Sequence, residues 1–249
     1  WIARGELARK QYDKAEEYAE QTYALAAPLF QQRQRDAEPH LPIAVGAAVE
    51  VVAQSLAARG ESGRAVERLR REVGKYEHTS IAARLQKNLN LLTLEGKPAP
   101  ELDVQHFVGP KPARLAALRG KTVLLFFWAD WCGDCKAQGP IVAALQAEFA
   151  ARGLVVLAPT QIYRGDEGTA DAAPANAVEL AHLDEVRRQF YPKLADVPTP
   201  VSAANFRSYG ASTVPTLVLV TPKGEVAFYH PGRLSYGELK PRIEAIFAR

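Results

Sequence analysis

The chain's only two cysteines stand in Trp131-Cys132-Gly133-Asp134-Cys135-Lys136, three positions apart. Two cysteines placed at random in a chain this long fall three apart in roughly one case in a hundred, so the spacing asks for a chemical cause. A structural disulfide is a weak one, because so short a loop removes little entropy from the unfolded chain. A zinc site needs two more ligands, and His40, His78, His106, His182 and His230 are scattered singly with no second cysteine pair. A redox dithiol needs only a nucleophile, a resolving thiol one turn on, and a junction between strand and helix. This context favours the redox dithiol.

The elements around the motif supply that junction. Lys121 to Ala129 reads as a buried strand, and about Asp134 to Ala151 as a helix with Ile141, Leu145 and Phe149 on one stripe. Cys132 therefore opens a helix, where unpaired N–H groups and the positive dipole end favour thiolate over thiol. A thiolate there attacks a disulfide sulfur, and Cys135 resolves the mixed disulfide. Cys132 is expected nearer the surface, and Cys135 more buried with the higher pKa. Gly133 and Asp134 lie between the sulfurs and are expected to tune them; the Asp134 carboxylate would raise a nearby thiolate's pKa, against the dipole. Asp130 and Asp134 are candidate proton acceptors or simply solvated residues. Trp131 is expected to cover the dithiol and contact substrate, Trp128 to belong to the core, and Lys136 to be a solvated helix residue or, through its charge, a group that lowers the thiolate pKa slightly.

Further strands are expected at Gly153 to Pro159 and in a hairpin, Thr216 to Val220 and Glu225 to Tyr229, across Pro222-Lys223-Gly224. Ser235 to Ala248 closes the chain as an amphipathic helix. Strands alternating with helices indicate an α/β layered sheet with an antiparallel edge. Tyr163 to Asn205 reads as an insertion at about 164–205. Its Gly-, Ala- and Asp-rich first part is expected to be a mobile loop. Its second part, with Leu180, Leu183, Val186 and Phe190 at helical spacing, reads as a helix covering one sheet face.

Residues 1 to 94 read as all helix, ahead of a boundary at Glu95-Gly96-Lys97-Pro98-Ala99-Pro100. Helices are expected at Gly5 to Ala27, broken by Pro28 and the Pro39–Pro42 region, then at Ile43 to Arg59, Arg64 to Val73 and Thr79 to Leu94. Tyr12-Asp13-Lys14-Ala15 and Gly63-Arg64-Ala65-Val66 resemble the second helix of a tetratricopeptide unit, although the Trp-Leu-Gly-Tyr part is missing. Tetratricopeptide-like hairpins and a generic helical bundle both remain open.

With 249 residues, 47% of them hydrophobic and 24% charged, the chain has ample core for one large domain or two ordinary ones. A net charge of +3 without a basic block disfavours nucleic acid as a partner. The longest apolar runs, such as Val123 to Trp128, are too short to cross a bilayer, so no transmembrane segment is expected. The chain opens Trp1-Ile2-Ala3 and contains no methionine, which fits a removed leader or a trimmed boundary equally.

Phe127-Trp128-Ala129-Asp130-Trp131-Cys132-Gly133-Asp134-Cys135-Lys136 resembles the active-site motif of thioredoxin-fold proteins. Pro140 falls where that family's active-site helix is kinked. Thr213-Val214-Pro215-Thr216 looks like its cis-proline loop, which implies substrate-binding roles for Val214 and Pro215. Gly96-Lys97-Pro98-Ala99-Pro100 and Leu115-Ala116-Ala117-Leu118-Arg119-Gly120-Lys121 resemble exported or membrane-anchored thiol-disulfide oxidoreductases of the TlpA and ResA type.

The resemblance covers about 96–249. It implies a thioredoxin fold, a mixed sheet flanked by helices, at 95–249; residues 1–95 lie outside it, and the all-α helical-hairpin domain expected at 1–94 rests on the helical pattern alone. It also implies protein disulfide reduction in a bacterial periplasm or cell envelope, with a protein disulfide as substrate and a partner dithiol protein as electron donor. No metal or organic cofactor is implied, and a separate protein partner for the helical domain is conceivable. Two departures stand out. Phe126 occupies the place of thioredoxin's buried Asp, and Gln138 the place of a Glu found in some exported members; neither can titrate. Since the residues between the cysteines tune the potential, the thioredoxin value of about −270 mV cannot be transferred. The alternatives are an oxidase or isomerase using the same residues, a thiol peroxidase (whose isolated cysteine in a Thr/Ser-x-x-Cys loop is not seen here), and a non-enzymatic adaptor.

Overall fold

The structure, a computed structural model, describes residues 1–32, 38–163 and 177–248. The chain divides into two compact units, the first spanning Trp1–Thr93 and the second beginning at Leu94.

The first unit is helical: α1 (Ile2–Ala8), α2 (Tyr12–Gln32), α3 (His40–Ala58), α4 (Ser62–Lys75) and α5 (Ala82–Thr93). Each packs chiefly on its neighbours in sequence. Ala15, Ala19 and Ala65 have no exposed surface, so small side chains sit where these helices meet. Two expectations about the first helix are corrected. It breaks at Arg9–Lys10, where Lys10 takes a left-handed φ of 61°, with Lys10 N–H bonded to the Leu7 carbonyl and Gln11 N–H to that of Glu6. That is a Schellman stop built without glycine, and so without a sequence signal. Pro28, conversely, lies inside α2. It is exposed, as is Ala24, whose freed carbonyl turns to water instead of being stranded in the core. Pro42 sits in the first turn of α3, where no N–H is needed.

By length and mean hydropathy (1.7) α3 could cross a membrane, a property that its interruption by Glu50 and Gln54 kept out of any continuous apolar run. Here it is the unit's central helix, burying Val45, Val49, Val52 and Leu56. Its one acid, Glu50, meets Arg84, Lys87 and Arg4. Burial alone would raise its carboxyl, but Lys87 and Arg84 together hold it below the usual carboxylate range.

The second unit contains a four-stranded sheet in the order β3-β2-β5-β6, made of β2 (Thr122–Phe127), β3 (Leu154–Leu157), β5 (Thr216–Val220) and β6 (Val226–Pro231). β2 pairs parallel with β3 and antiparallel with β5, and β5 pairs antiparallel with β6. All six residues of β2 are buried because both of its faces are covered. Leu124 and Phe126 point into one cluster with α6 (Gly133–Phe149), α7 (Ala177–Phe190) and α9 (Tyr236–Phe247). Val123, Leu125 and Phe127 point into another with α8 (Ala203–Tyr209), Leu94 and Leu102. The period-two alternation of a strand thus divides one apolar run between two layers.

Two-residue strands β1 (Phe107–Val108) and β4 (Thr199–Pro200) form a separate antiparallel pair; they and α8 were not foreseen. The Gly-, Ala- and Asp-rich first part of the insertion falls at 164–176, outside the described residues. The expected helix in its second part is α7, which places Leu183 and Val186 in the sheet's core. Along the outer side of β6 runs the entry segment. Gly96 N–H bonds to the Val226 carbonyl and Val226 N–H to that of Lys97, both at 2.8 Å, while the Glu95 carboxylate accepts Tyr229 N–H at 3.0 Å.

Candidate active site

The strand-to-helix junction is pinned before it reaches the cysteines. Trp128, buried at the end of β2, donates its backbone N–H to Pro159 and its indole N–H to the Ala158 carbonyl, and its own carbonyl accepts the Thr160 hydroxyl at 2.8 Å. The chain then turns: the Asp130 carboxylate accepts Trp131 N–H at 3.0 Å, and Cys132 N–H bonds to the Ala129 carbonyl. Cys132 is the N-cap of α6 in an extended conformation, and its Sγ accepts Cys135 N–H at 3.0 Å. The two sulfurs are joined as a disulfide.

Both cysteines are buried, Cys132 at 3% exposure and Cys135 at 0%. The difference has the expected direction but is small, so Cys132 meets solvent only through a narrow opening. Its sulfur lies 3.6 Å from the Val214 carbonyl oxygen, and Val214–Pro215 is a cis peptide. The loop is held by Thr216 Oγ1 on the Thr213 carbonyl and by Gly232 N–H on that of Pro215. The motif's neighbour in space is therefore the 213–216 loop, 82 residues on in the chain.

Trp131 is 64% exposed, with Tyr163 edge-on at 5.6 Å between ring centroids. Asp134 is exposed and pairs with Arg233 at 3.2 Å, so its charge is partly compensated. Lys136 is not simply solvated: its ammonium lies over the Phe190 ring, 3.7 Å from the centroid. Gln138 is fully buried, and its side-chain oxygen accepts Leu234 N–H at 2.9 Å, tying α6 to the approach to α9. Phe126 is buried edge-on to Tyr191.

Sequence reasoning missed what α7 contributes. His182 reaches Asp130, Nε2 to Oδ2 at 3.1 Å, and just past the helix Tyr191 packs on α6 at Gly139. Burial, reinforced by the Asp130 charge, pushes the Tyr191 phenol up, and the same causes raise Tyr163. The helical stripe on α7 was visible, but nothing in a single histidine 52 positions from an aspartate signals their contact.

The model of the AhpC/TSA family matches residues 96–229. Over 163 residues the chain is 27% identical to the thiol-disulfide oxidoreductase ResA of Oceanobacillus iheyensis, spanning 64% of this chain and 77% of that protein. Over 150 residues it is 28% identical to the thioredoxin-like protein YneN of Bacillus subtilis, spanning 60% of this chain and 79% of the relative. Among solved structures, a thioredoxin-like superfamily protein superposes with a TM-score of 0.51 at 21% identity, covering 62% of this chain and 98% of that one. With its dithiol at the head of α6 and this match across more than half its length, the chain belongs to the AhpC/TSA family, as a thioredoxin-fold thiol-disulfide oxidoreductase similar to ResA.

Proposed function

We propose that the protein is a disulfide reductase in which Cys132 attacks and Cys135 resolves. In the reduced protein the Cys132 thiolate attacks one sulfur of a substrate disulfide. That bond breaks, a mixed disulfide forms, and the departing substrate thiolate takes up a proton. Cys135 then gives up its proton and attacks Cys132 Sγ, releasing the second substrate thiolate. Two electrons pass to the substrate, and a donor dithiol protein restores the pair.

The observation that carries the direction is the charge around the nucleophile. Cys132 Sγ has a backbone N–H and a helix dipole to stabilise a thiolate, but the motif also carries carboxylates: Asp134 pairs with Arg233, and Asp130, two residues before Cys132, opposes the Lys136 ammonium, which keeps its charge over the Phe190 ring. A dithiol becomes strongly oxidising when its reduced form is specially stabilised. Among the described residues these two cations are matched by the carboxylates of Asp134 and Asp130, so the reduced form gains no special stabilisation, the disulfide is held more firmly, and the protein is read as reducing.

Val214, Pro215 and the exposed Trp131 form the substrate-facing surface in this reading, with Gly133 and Asp134 tuning the sulfurs. The redox-active disulfide serves as the sole prosthetic element, with no metal or organic cofactor. The resemblance to ResA supports an exported protein working in the bacterial cell envelope. The helical unit, read as hairpins of tetratricopeptide type, is assigned to binding a protein partner. Equilibration of the purified protein in graded thiol-disulfide buffers, with quantification of free Cys132 and Cys135, tests the direction. A potential near or below about −250 mV is expected, and one of about −120 to −180 mV would make the protein an oxidase or isomerase.

A further inference from the structure

The site lacks the buried acid that its fold relatives were expected to carry, yet a titratable pair stands beside it. Asp130 lies two residues before Cys132, so their Cα atoms are separated by at most about 7 Å, inside the Debye length at physiological salt. Its side chain is only 14% exposed. One carboxylate oxygen accepts Trp131 N–H at 3.0 Å, which holds the group on the turn that leads into Cys132, and the other meets His182 Nε2 at 3.1 Å. His182 comes from α7, within the insertion, and its side chain is 28% exposed.

We propose that Asp130 and His182 form a positioning pair that makes Cys132 reactivity depend on the protonation of His182. This rests on Cys132 being the redox nucleophile, as proposed above. With His182 protonated, the pair is neutral. When the imidazolium loses its proton, an uncompensated Asp130 charge remains two residues from Cys132 and disfavours the thiolate. The insertion helix thereby acquires a role in the chemistry besides covering the core.

Among the described residues, the other charged and titratable groups in this region are as follows. Tyr163 and Tyr191 flank Asp130, and burial with the Asp130 charge pushes both phenols up, so they stay neutral through the relevant range. On the first turn of α6, Asp134 is paired with Arg233 and Lys136 sits on Phe190. On α7 itself Glu179 and Glu185 lie three residues either side of His182, and Asp184 is engaged by Arg187 and Arg188.

The test is the pH dependence of iodoacetamide alkylation of Cys132 in the reduced full-length protein, quantified on the Cys132 peptide by mass spectrometry. Asp130→Asn and His182→Gln are nearly isosteric with the groups that they replace. Removing the carboxylate is expected to lower the Cys132 pKa, and removing the imidazole to raise it, each by about half a pH unit or more. The wild-type profile is also expected to show a second inflection that His182→Gln abolishes. A merely structural contact would move both variants in the same direction. That result, or two unshifted profiles, overturns the pair. Alkylation reads Cys132 without turnover, so a protein inert toward disulfides but showing opposed shifts would sink the reductase reading and leave the pair standing.

Discussion

Gly139 is the position where a single methyl group tests how the insertion is docked on the active-site helix. It lies in the interior of α6, four residues past Cys135, where alanine would ordinarily stabilise a helix by about 1 kcal/mol. A Cβ at that position would stand 2.6 Å from Cδ1 and 2.9 Å from Cε1 of Tyr191. Carbon atoms pack best at about 3.5–4.0 Å, so the overlap approaches about 1 Å. The ring cannot simply retreat. Tyr191 is buried, edge-on to Phe126 at 6.0 Å and tilted against Trp128 at 5.1 Å. Overpacking of this kind costs about 1–3 kcal/mol, and a ring held on two sides belongs in the upper half of that range. After the helical gain, Gly139→Ala should destabilise the second unit by about 1–2 kcal/mol.

Urea denaturation of the oxidised protein, followed by fluorescence of the buried Trp128, measures this. Gly237→Ala is the control in the same unit, because nothing lies within 4 Å of its added methyl, and it should be neutral or slightly stabilising. In a Tyr191→Leu background the cost of Gly139→Ala should vanish, giving a coupling of about 1 kcal/mol or more. The reasoning fails if Gly139→Ala behaves like Gly237→Ala, or if its cost survives the loss of the tyrosine ring.

Glu50→Gln should destabilise the first unit by about 2 kcal/mol at pH 7, since Arg84 and Lys87 are left mostly buried without their counter-charge. The native carboxyl is held below its unfolded value of about 4.3, so its contribution is present above that pH and lost as pH falls through the native value. Melts by circular dichroism at pH 7, 5 and 3.5 should show the gap closing, and a gap independent of pH would contradict the ion-pair account. Trp131→Ala, at an exposed position, should alter stability by less than about 1 kcal/mol. Its KM for a protein disulfide should rise several-fold while the rate with glutathione disulfide stays within about twofold; an equal loss on both would place Trp131 in the chemistry instead of the docking surface.

The parts of this molecule written in local pattern could be read from the sequence: the Cys132–Cys135 spacing, the buried run at 122–127, and the hairpin of β5 and β6. Local pattern also underlies the mistakes. Lys10 ends α1 in a conformation usually left to glycine, and Pro28 is tolerated because Ala24 faces water, a fact of burial and not of residue type. Strands β1 and β4, two residues each, are too short to carry an alternation. The contacts that complete the site are long-range and nonperiodic. Asp130 with His182, Lys136 on Phe190 and Gly139 under Tyr191 each join residues that only the packing of α7 brings together.

The entry segment bonded along β6 bears on how this protein avoids sticking to itself. β6 is an outermost strand of the sheet, and an uncovered outer strand offers its N–H and carbonyl groups to any other extended chain. Gly96, Lys97 and the Glu95 carboxylate already occupy that position, and Ala99 adds a bond to the Gly224 carbonyl in the adjoining turn. A fragment beginning at Leu94 would keep this seal together with the Leu94 side chain in the core. One beginning at Pro100 would bare β6 and invite copies to join sheet to sheet, which makes these few residues a guard against aggregation as much as a connection between units.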